Sequence, residues 1–294
     1  MSERESVLAG EALPASRAGA PPARAQRPRS AGTATGTATG TGRKRWVGWV
    51  AVATVLVLWQ GTVSSDLISA ELLPGPIGVA AAFWYRLFNG YRQTSLVVDT
   101  VVTVARCLSG FGLAVILGVP LGLLMGVNRR VSGAFNYIVQ FLRPLPPLAY
   151  FILLIVWFGT GNLSKVVLLF LTAFPIIASA AMAGVRGVPR LRVQAAEMLG
   201  AAPRQIFFQV IMPSAAPMIF TGFKIALAAA FSTVVAAEFI IAQYGLGWMV
   251  LSASKFLKNP TVLMGVVLLG LIGMALARGL HVLDEKLIHW RRFG

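Results

Sequence analysis

Residues 194–213 read QAAEMLGAAPRQIFFQVIMP and form a polar, helix-like insert between two long apolar runs. Arg190, Arg192 and Arg204 flank a short helix predicted over 193–199. Gly200 stops that helix as a C-terminal glycine cap does, and Pro203 opens the next helical segment at its first turn. The pattern is helix, glycine turn, helix. Small Ala195 and Ala196 permit close contact, while Met198, Leu199, Phe207 and Phe208 offer apolar anchors of the kind that fill a partner's groove. A rigid helix seated in a cleft passes its partner's motion on as a lever. Spacing alone leaves a second reading open, an amphipathic loop packed on its own bundle.

The composition around this insert sets its surroundings. Hydrophobic residues make up 56% of the chain and charged residues 12%, with a mean hydropathy of +0.74, too apolar for a soluble domain of 294 residues. A spanning helix needs roughly 20 mostly apolar residues. Six runs qualify, at about 46–63, 99–127, 134–158, 163–185, 213–241 and 260–280, so the predicted fold class is an all-α polytopic membrane protein of six transmembrane helices.

A net charge of +16 raises the question of nucleic-acid binding, and the placement of the charge answers it. Nineteen basic residues lie in the amino-terminal tail and after the second, fourth and sixth runs; only Arg86, Arg92, Lys165, Lys255 and Lys258 lie in the alternate loops. That asymmetry reports topology, with both termini and the 194–213 insert in the cytoplasm. It makes nucleic acid the weaker explanation of the charge.

Residues 1–42 are rich in Ala, Gly, Pro, Thr and Arg and include GTATGTATGTG, a composition predicting a disordered cytoplasmic tail. Residues 43–70 follow as an uncleaved anchor helix, and 71–294 as the main transmembrane domain, with the loop at about 188–213. A Pro-Gly-Pro break at 74–76 precedes an interfacial helix around 80–87 carrying Trp84 and Tyr85. Gly245 and Gly247 end the fifth run and introduce a second short helix on the same, outer face. Gly118, Gly122 and Gly126 give two overlapping GxxxG spacings that admit a neighbouring backbone, and Pro120 between them predicts a kink.

The parts of an enzyme are missing from the pattern. There is no GxxxxGK[ST] phosphate loop, no HExxH and no CxxC pair. The single Cys107 rules out an intramolecular disulfide, and His281 and His289 are eight apart, outside the spacing that sets two metal ligands on one helical face. No metal site is predicted.

Ionisable residues inside spans are costly and face a cavity or a partner. Arg106 lies in the second run, and Lys224 and Glu238 lie in the fifth. Lys224 and Glu238 are roughly 21 Å apart along one helix and cannot pair. The second run heads inward and the fifth outward, so Arg106 and Glu238 fall at similar depth, and an ion pair between them is expected. Glu238 has the wrong sign to attract an anion and reads as a gate or structural residue, whereas Lys224 is placed near an inner funnel. Pro144, Pro146 and Pro147 interrupt the third run, leaving two roles open: a broken helix lining a cavity, or a rigid turn at the cytoplasmic boundary marked by Arg143. Ser232 and Thr233 are candidates to offer hydroxyls to a passing anion, or to bond back to helix carbonyls four residues earlier.

Gln194-Ala195-Ala196, Gly200, Val210 and Met212-Pro213 stand at the spacing of the "EAA" loop of bacterial ABC-importer permeases, with Gln where that loop has Glu. From about Leu72 onward the chain resembles the nitrate, sulfonate and taurine branch of that family. The matching blocks are LLPGPIGV, GVPLGLLMGVNRR, LRPLPPLA from Leu142, VWFGTGNLSK from Val156 and AAEFIIAQYGLGWMV from Ala236. STVVAAEF from Ser232 and GLGWMVLSA from Gly245 look most like taurine permeases.

The resemblance implies a type I ABC-importer permease fold in the bacterial inner membrane, with 194–213 as the coupling loop. Arg190, Gln194, Ala195, Ala196, Glu197, Gly200 and Pro213 would then meet the ATPase, and Arg106, Pro146, Pro147, Lys224, Ser232, Thr233 and Glu238 would line or gate the substrate path. It further implies a permease homodimer, two cytoplasmic ATPase subunits that hold ATP and Mg, an extracytoplasmic substrate-binding protein, and no cofactor on this chain. Taurine or another alkanesulfonate ranks first as substrate, with nitrate, bicarbonate or a vitamin-type substrate as alternatives. A secondary transporter or channel is the competing class; missing mid-span ion-binding carboxylates argue against it.

Overall fold

The computed structural model describes residues 41–65, 69, 72–92 and 94–288. The predicted tail, apart from its last two residues, and the carboxy-terminal stretch with His289 lie outside the described residues. By internal contacts the chain divides into Met1–Trp49 and Val50–Gly294. In the first unit, the described residues begin helix α1 (Thr41–Ser64); all later helices belong to the second.

The described residues are helical apart from turns and one isolated bridge between Tyr91 and Thr94. After α1 come α2 (Pro76–Asn89), α3 (Leu96–Val127), α4 (Arg129–Leu142), α5 (Pro147–Phe158) and α6 (Asn162–Arg186). Then follow α7 (Arg190–Met198), α8 (Pro203–Gln205), a π-helical segment (Ile206–Ile211), α9 (Met212–Ile241), α10 (Leu246–Lys255) and α11 (Asn259–Leu287). The interfacial helix predicted around 80–87 is α2, and the short helix after Gly245 is α10.

Six spans were expected from the hydropathy, the third interrupted by its prolines, and the helices among the described residues depart from that count in two places. Four single helices are long and apolar enough to cross a bilayer: Leu96–Val127, Asn162–Arg186, Pro203–Ile241 and Asn259–Leu287. The run at 134–158 is instead the pair α4 and α5, bent by 100°, which makes a fifth span only if the two count together. Its cause is Arg143-Pro144-Leu145-Pro146-Pro147: each proline removes an N–H donor, Pro146 is extended ahead of Pro147, and Pro147 then starts α5 at its first turn. The apolar part of α1, Trp49–Ser64, falls short of the roughly 20 residues a span needs.

The packing centre is α6, which lies along α3 on one side and α9 on the other. Small residues decide how closely they approach. A Cβ on Gly122 would come within 2.4 Å of the Ala178 carbonyl oxygen, and one on Gly126 within 2.5 Å of Val185. Gly222 on α9 meets Ala180 of α6 in the same way. Apolar helices in a bilayer gain nothing from excluding water, so this backbone proximity supplies the packing that holds them. The GxxxG reading of α3 therefore corresponds to a real interface, and α3 runs through Pro120 without a break in its helix. Cys107, Ala114, Leu169, Ala173, Ile177, Ala226, Ala230 and Val234 fill the centre.

Candidate coupling loop and transport path

At one end of the bundle, α7 joins the C-terminus of α6 to the start of α8. Its last turn closes as predicted: Gly200 takes φ +77°, its N–H donates to the Glu197 carbonyl, and the Ala201 N–H donates to the Ala196 carbonyl. Those two bonds form a Schellman cap, which a glycine at positive φ permits. The Ala202 N–H donates to the Gln205 side chain at 2.8 Å, and Pro203 comes next at the first helical position.

Leu191, Met198 and Leu199 are 76%, 89% and 88% exposed, so the apolar side chains of α7 are turned away from the bundle. With Ala195 they occupy positions i, i+4, i+7 and i+8, a single stripe. The second reading, a loop packed on its own bundle, holds for the opposite face of α7, where Val193 and Ala196 are half-buried. Arg190, Gln194 and Glu197 instead line a cleft of about 320 Å³ together with Val185, Val193 and Ile211.

The fifth span was expected to start at 213, and its helix starts ten residues earlier. Pro203–Ile241 is one helical span of 39 residues, with the π-helical segment inside it. The Met212 N–H donates to Phe207 five residues back. Pro213 has no N–H to give to Gln209, and the wider π turn accommodates that missing bond. The second half of the polar insert is thus the beginning of the same helix that carries Lys224 and Glu238.

At the opposite end, α3 begins, α9 finishes and α10 starts. Arg106 Nη1 lies 2.8 Å from Glu238 Oε1, with the side chains 4% and 0% exposed. The expected ion pair is present, and it belongs to a larger network. Glu238 also accepts hydrogen bonds from Thr103 Oγ1 and from the Gly247 N–H. The Leu246 N–H donates to Thr103 Oγ1, and the Gly245 N–H donates to Asp99 Oδ1. Three successive amides at the start of α10, which no residue of that helix can satisfy, are thus held by side chains from α3 and α9.

Glycine at 245 and 247 is required by that closeness. A Cβ on Gly245, at φ +123°, would fall 2.5 Å from the Glu238 carboxylate, and one on Gly247 would fall 2.9 Å from the Val235 carbonyl oxygen. Arg106 makes its other contacts with Asn162 Oδ1, the Tyr244 carbonyl and the Tyr244 ring face.

The remaining candidates separate. Lys224 and Ser232 line one cavity of about 230 Å³ between α9 and α11. Lys224 is not a free funnel cation, because its ammonium pairs with Asp284 of α11. Ser232 bonds back to the Ala228 carbonyl at 3.1 Å, and Thr233, eight per cent exposed, is packed within the bundle rather than presented to a path. Pro146 and Pro147 make the turn between α4 and α5, as the boundary Arg143 indicated. His281 lies beside Glu285, 3.7 Å away, both exposed.

Several contributors were not singled out from the sequence. Asp99, Thr103 and Asn162 carry no periodic signal, and Asp284 lies beyond the apolar run to which α11 was assigned. Lys165, counted with the loops, is in the first turn of α6 and only 2% exposed. The signal that did exist was the pair Gly245 and Gly247, read only as breakers.

Comparison with known proteins agrees with this layout. Over 240 residues the chain is 38% identical to the taurine transport system permease protein TauC of Escherichia coli (strain K12), covering 81% of this chain and 87% of the relative. It is 30% identical to a putative aliphatic sulfonates transport permease protein, SsuC, of Bacillus subtilis (strain 168), covering 85% of this chain and 90% of that one. Among solved structures, the inward-facing MetNI methionine ABC transporter matches with a TM-score of 0.56 and 22% identity, over 66% of this chain and 95% of that chain, which shows the shared fold. The family model described as the binding-protein-dependent transport system inner membrane component matches residues 118–289, and the chain belongs to that family as an ABC-importer permease of the inner membrane.

Proposed function

We propose that this chain forms the membrane path through which a small sulfonate, taurine first, is imported at the expense of ATP hydrolysed by a partner. Family membership brings an ATPase and a substrate-binding protein as partners. The relatives named for taurine and aliphatic sulfonates support the substrate class. The single observation that carries the coupling role is the exposed stripe of Leu191, Ala195, Met198 and Leu199 on a helix rigidly closed by Gly200. Two copies of the permease, each docking one ATPase in the cytoplasm, form the simplest complete assembly. The binding protein meets the opposite face, at α2 and α10.

The mechanism rests on the continuity of Pro203–Ile241. ATP-driven closure of the two ATPases moves the coupling helices. The π segment and α9 pass that displacement on, and at roughly 1.5 Å per residue the helix reaches Glu238 about 50 Å away. Glu238 holds the start of α10, so a shift of α9 tugs on the latch at the outer mouth. Reconstitution tests this reading. Liposomes holding permease, ATPase and internal ATP should take up taurine only when the binding protein is outside, and the chain alone should hydrolyse no ATP. Uptake driven by an ion gradient without ATPase would overturn it.

A further inference from the structure

Behind the Arg106–Glu238 latch lies a cavity of about 430 Å³, within the roughly 300–1,000 Å³ range of small-molecule sites. Its lining includes Arg106, Asn162, Lys165, Gln243 and Tyr244. The two charged groups on that lining are both cations. Glu238 and Asp99 are fully buried and do not line the cavity, being engaged by Arg106, Thr103, Thr94 and the amides of α10.

Lys165 is the telling residue. It is 2% exposed, its ammonium donates to the Thr160 and Gly161 carbonyls at 2.9 and 3.0 Å, and it forms no ion pair among the described residues. The carboxylate that acts on it, Glu238, is already held by Arg106, and a buried ammonium without a counter-ion of its own is costly, offset only in part by carbonyl dipoles. Its third proton is uncommitted. Arg106 likewise commits Nε and Nη1, while Nη2 makes no hydrogen bond among the described residues. The N-terminus of α6, whose cap Gly161 supplies no side-chain acceptor, adds its positive end to the same wall.

The geometry points to an oxyanion site in this cavity, where Lys165 and Arg106 Nη2 hold a sulfonate or sulfate head group. The site deepens the reading of an anion importer and rests on it for its place in transport. Latch and ligand share Arg106, so an anion on Nη2 draws the guanidinium away from Glu238 Oε1.

The test is equilibrium binding of radiolabelled sulfate and of radiolabelled taurine to the assembled permease–ATPase complex in lipid nanodiscs. Saturable binding of either probe is expected. Lys165→Met should weaken it at least about tenfold, since it removes the charge at similar length. Lys165→Met also strips the Thr160 and Gly161 carbonyls of their donor, so Lys165→Arg, which keeps a donor, is the matched control for folding. Asn162→Asp retains an acceptor for Arg106 Nε and places a negative charge at the mouth, so it should weaken binding by a similar factor; Lys165→Arg should keep most of it. Wild-type complex that binds neither probe, or Lys165→Met and Asn162→Asp variants that bind like wild type, would each overturn the site. Binding as expected without ATP-driven uptake would instead overturn the importer reading and leave the site standing. Uptake by a wild type whose variants bind unchanged would sink the site alone.

Discussion

The two ends of the bundle solve opposite problems. Where α3, α9 and α10 meet, polar groups are buried and nearly every one has a partner within the chain. At α7, apolar side chains are exposed with no partner among the described residues, on a helix whose last turn is tied by its own backbone. A buried polar network is completed by the protein itself, because unsatisfied groups at membrane depth cost several kcal/mol each. An exposed apolar stripe on a rigid helix is completed by something else. Substitutions should therefore act on stability at the first end and on association at the second.

The largest effect is expected at the latch. Glu238→Ala leaves Arg106 buried without its carboxylate and frees the Gly247 amide at once. Breaking one partner of a buried pair costs about 3–5 kcal/mol, on the order of 10 °C in melting temperature for a domain of this size. Thermal unfolding of the purified permease measures it. A shift below about 2 °C would mean that the network is not what holds α10, and the contrast between the two ends would fail.

Gly200 should give the converse result, with association lost and stability kept. A Cβ at 200 meets nothing within 4 Å, so the φ of +77° is the one constraint on this position. Asn tolerates that region and Val does not. Gly200→Asn should recruit the ATPase within about threefold of wild type, and Gly200→Val should lose about tenfold or more, since roughly 1–2 kcal/mol of backbone strain falls on the cap. Pull-down of the ATPase with matched melting curves separates the two terms. Equal recruitment by both variants would show that the Schellman turn does not set the docking geometry.

How far these ends were legible in the sequence differs for a physical reason. The coupling loop is local: the cap, the proline and the apolar stripe all fall within 24 residues, Arg190 to Pro213, and helical periodicity exposes them. The latch joins residues more than 130 positions apart. Only Arg106 and Glu238 were found in advance, because charge inside a span is rare and helix direction fixes depth. Their neutral and acidic helpers Thr103, Asn162 and Asp99 look ordinary at span ends. Hydropathy counted 134–158 as one span, and although its three prolines marked an interruption, the 100° angle at which they redirect the chain is set by packing rather than by composition. Lys165 was counted with the loop charges although the fourth run, from 163, already contained it, and what sequence could not show is that the side chain is buried.

The smallest effect is expected at Gln194, the position where the chain departs from the loop pattern. Its side chain lines the cleft with Arg190 four residues before it and Glu197 three residues after. A glutamate at 194 would gain an attraction to Arg190, in the less favourable order with the cation first, and a repulsion from Glu197 one turn on. Each term is worth about 0.2–0.5 kcal/mol, with opposite sign, so they nearly cancel. Gln194→Glu should therefore change ATPase recruitment and coupled uptake by less than about twofold. Glu197→Gln removes the repulsion, so Gln194→Glu measured in that background should recruit slightly better than the single variant. If Gln194→Glu alone raised recruitment tenfold, the charge at 194 would be meeting a cation on the ATPase, and the docking surface would extend from the apolar stripe into the cleft.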